Sequence, residues 1–488
     1  MRKILSIAIL LPSLFCLFYC HPERNYVEEG DARLQFSLDT VYFDTIFTTV
    51  GTTTKSFRVY NPHSRFIKID AIQLAGGSES VFRVNVDGMP GVSFDNFEIA
   101  PKDSMYIFVE ATLDPNRLPD ILRIQDSITF SVNGNLQDVD LVAWGQDVHL
   151  LRDSIVTPGA IWTADKPYLI LGYIFVDTLQ ELTIEEGVQI HLHRDAGIYV
   201  QGSLKMNGTL EYPIVVEGDR LEREFRDDPG YPGQWFGIYF VPGSHSNVIN
   251  HARILNGTVG LWADSVVSFD QPVLSISNTE INRMSYDGIL GRGTTIEASN
   301  TVIGDCGNSC VELLYEGSYS FTHCTFANYW RTGFSNRTAP AVYLANYFAY
   351  ENDDKEVIVE SRNIEQALFT NCIIYGSGNN EIQISQSDEG QLNYTFDHVL
   401  ARFEKEEVFK WLNEDEYIYD QDPNFIEMIL NKNPLFDSLR VSYELDSLSP
   451  AIDAGERDYA INFPFDKKGD SRLGDNEPDL GAFERIEE

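Results

Sequence analysis

Four carboxylates, Asp287, Asp305, Glu312 and Glu316, lie close together in the chain. Cleavage of a glycosidic bond needs two carboxyl groups set across it, so these four are the catalytic candidates. All fall on adjacent repeats of a pattern described below, where a solvated outward position is their expected setting. A second set is aromatic: Trp235, Tyr239, Trp262 and Tyr286. Placed on one face they make a contact patch of the kind that marks interaction surfaces, and sugar rings stack on such patches. Cover by the first domain or by an insertion is the preferred alternative. His191-x-His193 sets two imidazoles on one strand face, but without a third ligand they make no metal site. Cys306-x3-Cys310 reads either as a local disulfide or, preferably, as buried thiols. Asp466, Asp470 and Asp475 are the only calcium candidates, and no Asp-x-Asp-x-Asp-Gly loop accompanies them. No cofactor or metal is therefore expected.

These residues sit in a chain of 488 residues with 36 Lys+Arg against 74 Asp+Glu, a formal charge of −38. That balance excludes nucleic acid as a partner, since phosphate binding needs clustered cations. It equally disfavours an anionic bilayer surface. With 43% hydrophobic and 12% aromatic residues, the chain can bury large cores. Arg2 and Lys3 precede an apolar run from Ile4 to Tyr19, a signal-peptide layout over residues 1–20. Leu17-Phe-Tyr-Cys20 resembles a degenerate bacterial lipobox, which implies lipidation of Cys20. The expected address is the outer membrane or cell surface, with periplasmic or secreted protein as the alternative. No later stretch is apolar enough to span a bilayer, so membrane contact is expected through the lipid alone. Asp-Ser/Thr followed by an aliphatic residue, Met or Thr begins nine times, at Asp39, Asp44, Asp103, Asp126, Asp153, Asp177, Asp264, Asp437 and Asp446. The triplet resembles an O-glycosylation signal of Gram-negative surface proteins. Turn chemistry at strand starts is an equal explanation.

Residues 25–150 read as short alternating strands, among them Lys55-Ser-Phe-Arg-Val-Tyr and Met105-Tyr-Ile-Phe-Val-Glu-Ala, punctuated by Asn61-Pro62, Gly76-Gly77 and Asn133-Gly134. That punctuation predicts a β-sandwich of about seven strands. Phe57-Arg-Val-Tyr-Asn61, Ile67-Lys-Ile, Ile99-Ala-Pro-Lys-Asp-Ser-Met and Ala143-Trp-Gly145 together resemble the ASH/major-sperm-protein type of immunoglobulin-like domain. The resemblance implies a stalk or adaptor.

From about 155 to 455 the texture changes to short strands and tight Gly turns. The lines Ile249-Asn-His-Ala-Arg-Ile, Ile276-Ser-Asn-Thr-Glu-Ile, Ala298-Ser-Asn-Thr-Val-Ile, Phe321-Thr-His-Cys-Thr-Phe and Phe369-Thr-Asn-Cys-Ile-Ile repeat at offsets of 27, 22, 23 and 48. Such a period means one stacked coil per repeat. Their third column, His251, Asn278, Asn300, His323 and Asn371, predicts a ladder of turn side chains. Their fourth, Ala252, Thr279, Thr301, Cys324 and Cys372, predicts an interior stack. A second alignment, Gly237-Ile-Tyr, Gly260-Leu-Trp, Gly288-Ile-Leu and Cys310-Val-Glu, turns Tyr239, Trp262, Leu290 and Glu312 outward. The pattern resembles the right-handed parallel β-helix of pectin-lyase-like proteins. Insertions are expected at 327–366 and 402–425, the latter with a short helix from Glu404. The tail carries Leu445-Asp-Ser-Leu-Ser-Pro-Ala-Ile-Asp-Ala-Gly455 and Pro478-Asp-Leu-Gly-Ala-Phe-Glu484. It resembles the terminal motif of cell-surface β-helix proteins and predicts a cap over 456–488, with Arg472 paired to Asp453 or Glu484.

Pectin-lyase-like proteins include lyases and hydrolases, but the polygalacturonase-like signatures are absent; Asn278-Thr-Glu and Gly304-Asp-Cys only echo them. The fold expected is all-β, a sandwich followed by a solenoid. The function expected is a non-catalytic envelope lipoprotein that binds or scaffolds, with a neutral glycan or an envelope protein as partner. The alternative is a polysaccharide lyase or glycoside hydrolase.

Overall fold

The computed structural model describes residues 24–30, 32–47, 54–112, 122–222, 225, 230–264, 271–330, 337–352, 354–411, 417–438, 442–474 and 476–486. Cys20 and its neighbours lie outside them. The protein is all-β and divides into two compact units, Met1–Asp147 and Val148–Glu488.

In the first unit two five-stranded sheets enclose one core. One runs in the order Gln35–Phe36, Lys55–Tyr60, Ser104–Ala111, Phe82–Val86, Met89–Gly91, all antiparallel. The other runs Thr40–Phe47, Asn135–Gln146, Leu122–Val132, Ile67–Leu74, Ser93–Ile99. Its edge strand Thr40–Phe47 is parallel to its neighbour. Period-two alternation builds both: Met105, Ile107, Val109 and Ala111 point in, while Tyr106 and Phe108 point out. Phe57 from one sheet meets Phe130 from the other edge to face, at 6.4 Å. The described residues hold ten strands here, more than the seven expected.

The second unit stacks coils. Each strand pairs in parallel with its counterpart on the next coil, giving three columns within one 25-stranded sheet. The first column is Gly197–Val200, Gly237–Phe240, Leu261–Asp264, the start of Ile289–Ser299, the start of Val311–Thr322, Val342–Ala345, Ile382–Gln386 and Phe409–Trp411. Identical inward positions stack along the axis. In the second column Phe321, Phe369, Phe396 and Phe425 lie ring on ring, 5.0, 4.8 and 5.3 Å apart and within 11° of parallel. Buried aromatic stacks of this kind add to the area they remove from water.

The turn from second to third column is where the repeated Asn and His sit. His251, Asn278, Asn300, His323, Asn371 and His398 all have φ between 46° and 53°. Asn and His enter this left-handed region more readily than most side chains, which accounts for the column. Rungs form from Asn300 to Asn278 at 3.2 Å and between Asn371 and His323 at 3.2 Å. Asn278 instead donates to Asn250, at 3.0 Å. The next residue is interior in every coil. The Thr279 and Thr301 hydroxyls and the Cys324 and Cys372 thiols donate to the carbonyl two residues back. The four described cysteines are free and buried.

Two expectations about insertions need correction. Val342–Ala345 and Phe409–Trp411 belong to the first column. What leaves the coil within 327–366 is chiefly a hairpin, Tyr347–Glu351 paired with Val357–Ser361. The segment from Glu404 forms turns and then a strand, not a helix, because Val408 and Phe409 are drawn into the core. The tail also departs from expectation. It does not sit over the last coil but runs along the Asn/His turns. Asn300 is held by Phe465 O and Arg472, Thr325 by Ala482 N, and Asn371 by Glu456 and Gly481 N. Arg472 is fully buried and paired with Glu484 at 3.1 Å. The ladder's unused polar groups attract the tail sideways, since buried amides need partners.

Candidate functional site

The first column carries the outward residues of interest. Strand pairing aligns Tyr199, Tyr239, Trp262, Leu290, Glu312, Tyr343 and Gln383 in one row. The outward row expected from the Gly alignment is thus the row formed. Tyr239 stacks on Trp262 at 4.5 Å, and Tyr199 stacks on Phe236 at 5.7 Å. Phe236 lies 6.2 Å from Trp262, so four rings form one strip.

Asp264 anchors the strip. It accepts from Tyr239 Oη at 2.7 Å and Trp262 Nε1 at 3.0 Å, and takes a bidentate pair from Arg292 at 2.9 and 2.6 Å. Burial, then the bond to Asp264, pushes the Tyr239 phenol up, so it stays protonated. The Arg292 guanidinium lies over Trp262 and over Phe348 of the hairpin. Beside it opens a cleft of about 300 Å³, lined by Arg292, Tyr315, Glu316, Phe348, Tyr350 and Glu360. Glu360 accepts from Tyr315 at 3.1 Å and Tyr350 at 2.9 Å, and Glu316 pairs with Arg362 at 3.3 Å. Tyr315 stands at φ 76°. A bulky residue held there is strained, a state that concentrates at functional sites.

Trp235 is not on this face. It is 1% exposed, and its Nε1 donates to Leu255 O at 2.9 Å. Gly257 makes the room: a Cβ there would sit 3.0 Å from the indole. Strand alternation was extended into a loop, where it does not hold. Tyr286, two coils along in the same loop, is 49% exposed.

The carboxylates separate. Asp287 and Asp305 are buried, against the expectation of solvated positions. Asp305 lies on the turn before Cys306, where φ is 47°. Glu316 lines the cleft. Asp287 and Glu312 come together across neighbouring coils. The Asn308 amide donates to both, at 2.9 and 3.0 Å, and Asp287 also takes Ser309 N–H at 2.9 Å. Burial and then the Glu312 charge push Asp287 well above the usual carboxylate range, and burial raises Glu312 too. Two carboxyls bridged by one amide disfavour each other's ionisation, so both are biased toward the protonated form. That pair can act as an acid or a base, with Glu312 the half-buried member nearer the strip.

The remaining candidates resolve simply. His191 is buried 3.8 Å from Glu217, whereas His193 has left the strand and meets Asp219 at 2.6 Å. The two rings therefore do not share a face. Asp466 accepts three backbone N–H groups, from Lys468, Asp470 and Glu484, at 2.7 to 2.8 Å. Asp475 lies outside the described residues. Among the described residues no three His, Cys, Asp or Glu side chains group to hold a metal, and no helix is long and apolar enough to cross a membrane. Asp264 and Arg292 were not singled out together, although both stand four residues past the aligned Gly260 and Gly288.

No family model matches the sequence, and no curated protein matches it significantly. Several solved structures are similar in part. The catalytic unit of a GH87 α-1,3-glucanase from Streptomyces thermodiastaticus strain HF3-3 is 10% identical, over 73% of this chain and 87% of that one, at a TM-score of 0.24. A XylC complex with xylose is 10% identical over 91% and 87%, at 0.28. The human CEP192 PapD-like domain 7 is 8% identical over 25% and 89%, at 0.16. For a family 123 glycoside hydrolase from Clostridium perfringens the chain spans 26% of that protein's length, at 8% identity and a TM-score of 0.18. These likenesses are too slight to bear on activity.

Proposed function

We propose that this chain is a cell-envelope lipoprotein anchored through Cys20, with an immunoglobulin-like sandwich of the ASH type followed by a right-handed parallel β-helix that binds neutral glycans. The right hand follows the usual chirality of parallel crossovers. The observation that carries the binding reading is the strip of Tyr199, Phe236, Tyr239 and Trp262, continuous with the cleft beside Arg292. Half-buried rings next to fixed hydroxyls, an arginine and carboxylates present apolar faces and directional polar groups together, as ligand sites do. A net charge of −38 argues against a polyanionic glycan.

The test is a glycan array probed with the intact chain and with Trp262→Ala, read for retention and for released products. Retention of neutral glycans, lost in the variant, supports the reading; equal retention by both proteins overturns it. Palmitate labelling that persists in Cys20→Ser would remove the anchor. A second reading, a glycan-cleaving enzyme, is favoured by one observation, the carboxyl pair of Asp287 and Glu312 bridged by the Asn308 amide. Released products that vanish in Glu312→Gln would replace binding by catalysis.

A further inference from the structure

The last coil holds a different pocket. Residues Tyr417–Asn424 fold back toward Phe409–Trp411 and Leu392–Ala401 and enclose an open space of about 410 Å³. Pockets of a few hundred Å³ suit small ligands. Strand pairing runs Arg292, Leu314, Ala345, Ser385, so Gln386 on its wall lies three coils from Arg292 of the cleft. At ~4.8 Å per coil that is about 14 Å along the axis. The two sites share no residue.

Its base is aromatic. Phe409 stacks on Tyr417, centroids 4.7 Å apart and 18° from parallel, and Tyr394 lies 5.9 Å from Phe409. Asp422 is fixed in orientation. Its Oδ2 accepts the hydroxyls of Tyr394 and Tyr417, and its Oδ1 takes Asn424 N–H at 2.9 Å. Burial, and then the bond to Asp422, pushes both phenols up, so they remain donors. A carboxylate offers about four acceptor positions, which leaves one on Oδ1. Side-chain amides of Gln386, Gln421 and Asn424 complete the polar wall, and Ile418, 50% exposed, gives it an apolar lip.

The lining selects among ligand classes. Among the described residues of the lining Asp422 is the only charged one, and none is Lys, Arg or His, a setting that disfavours anions. A quaternary cation is held by several ring faces turned inward, but here Tyr417 covers the face of Phe409. Amides, which both accept and donate, and a carboxylate edge, which accepts, fit adjacent hydroxyl groups, and Tyr417 with Ile418 fits the apolar side of a sugar ring. We infer that this pocket is a second saccharide site, taking a small neutral sugar independently of the aromatic strip. The inference rests on its own residues and survives failure of the strip.

The test silences the strip first. Full-length Trp262→Ala protein is titrated calorimetrically with cellotriose, xylotriose and maltotriose. At least one is expected to bind, with a loss of tenfold or more when Tyr417→Ala is added. Asp422→Asn, which keeps the volume, is expected to weaken the same sugar and serves if Tyr417→Ala does not fold, as judged by circular dichroism. The inference fails if none of the three sugars binds, if binding survives the folded pocket variants, or if tetramethylammonium competes for the pocket.

Discussion

The two long edges of the solenoid are made by the same repeat yet end in opposite states. Along the turns from second to third column, Asn and His side chains form two rungs, Asn300 to Asn278 and Asn371 with His323, and the tail from Glu456 to Glu484 is bonded over them. Along the first column, a strip of half-buried rings faces outward beside an open cleft and a carboxyl pair bridged by Asn308. One edge satisfies its polar groups from within the chain. The other orders them and leaves room. Repetition supplies the scaffold for both, and what the chain lays against each edge decides which one can bind.

That contrast can be broken by substitution. The largest effect is expected at the sealed edge. Arg472→Ala strands the buried Glu484 carboxylate and should cost about 3–5 kcal/mol, read by chemical denaturation. Glycan retention by the still-folded protein should be unchanged; a loss of binding equal to that of Trp262→Ala would erase the distinction between edges. Next, Trp262→Ala should lower glycan affinity at least tenfold, about 1.4 kcal/mol, measured by calorimetry. A smaller effect concerns pH. Asp287 has its carboxyl raised in the folded state, so the folded protein holds a proton that the unfolded chain releases. Its contribution is complete below the ordinary carboxylate range and is lost as pH rises through the raised value. Asp287→Asn should therefore flatten the decline of stability with rising pH, seen by denaturant titration across that range. A slope identical to wild type would show that the Asp287 carboxyl is not raised in the folded state. The smallest effect is at Tyr286→Ala: this exposed ring should change affinity no more than a few-fold and stability by less than about 0.5 kcal/mol.

The columns were legible because strands and tight turns repeat. Ile238, Leu261, Ile289 and Val311 share one register, as the Gly alignment implied, and the Asn/His column marks a backbone conformation that few side chains accept. Trp235 was misplaced because its loop is not governed by alternation, and a cavity at Gly257 that no period reveals receives it. The carboxylates illustrate the same limit. Asp287 lies just ahead of its strand, where burial is set by Asn308 and Ser309 on the next coil. The Asp264–Arg292 pair lies four residues past each aligned glycine, at strand ends where alternation alone does not mark a charge pair. The tail's motif was visible while its resting place was not, because its partners lie 85 to 172 residues upstream.

That distance has a temporal consequence. Repeat proteins ordinarily propagate structure from neighbour to neighbour, each coil adding as it is made. Here Arg472 meets Asn300 across 172 residues, and Ala482 meets Thr325 across 157. The middle coils thus stay unfastened until the tail from Glu456 to Glu484 has been made. Contacts that distant slow folding. They also make the segment from Glu456 to Glu484 a latch, so that a chain lacking it carries a bare row of asparagines and histidines.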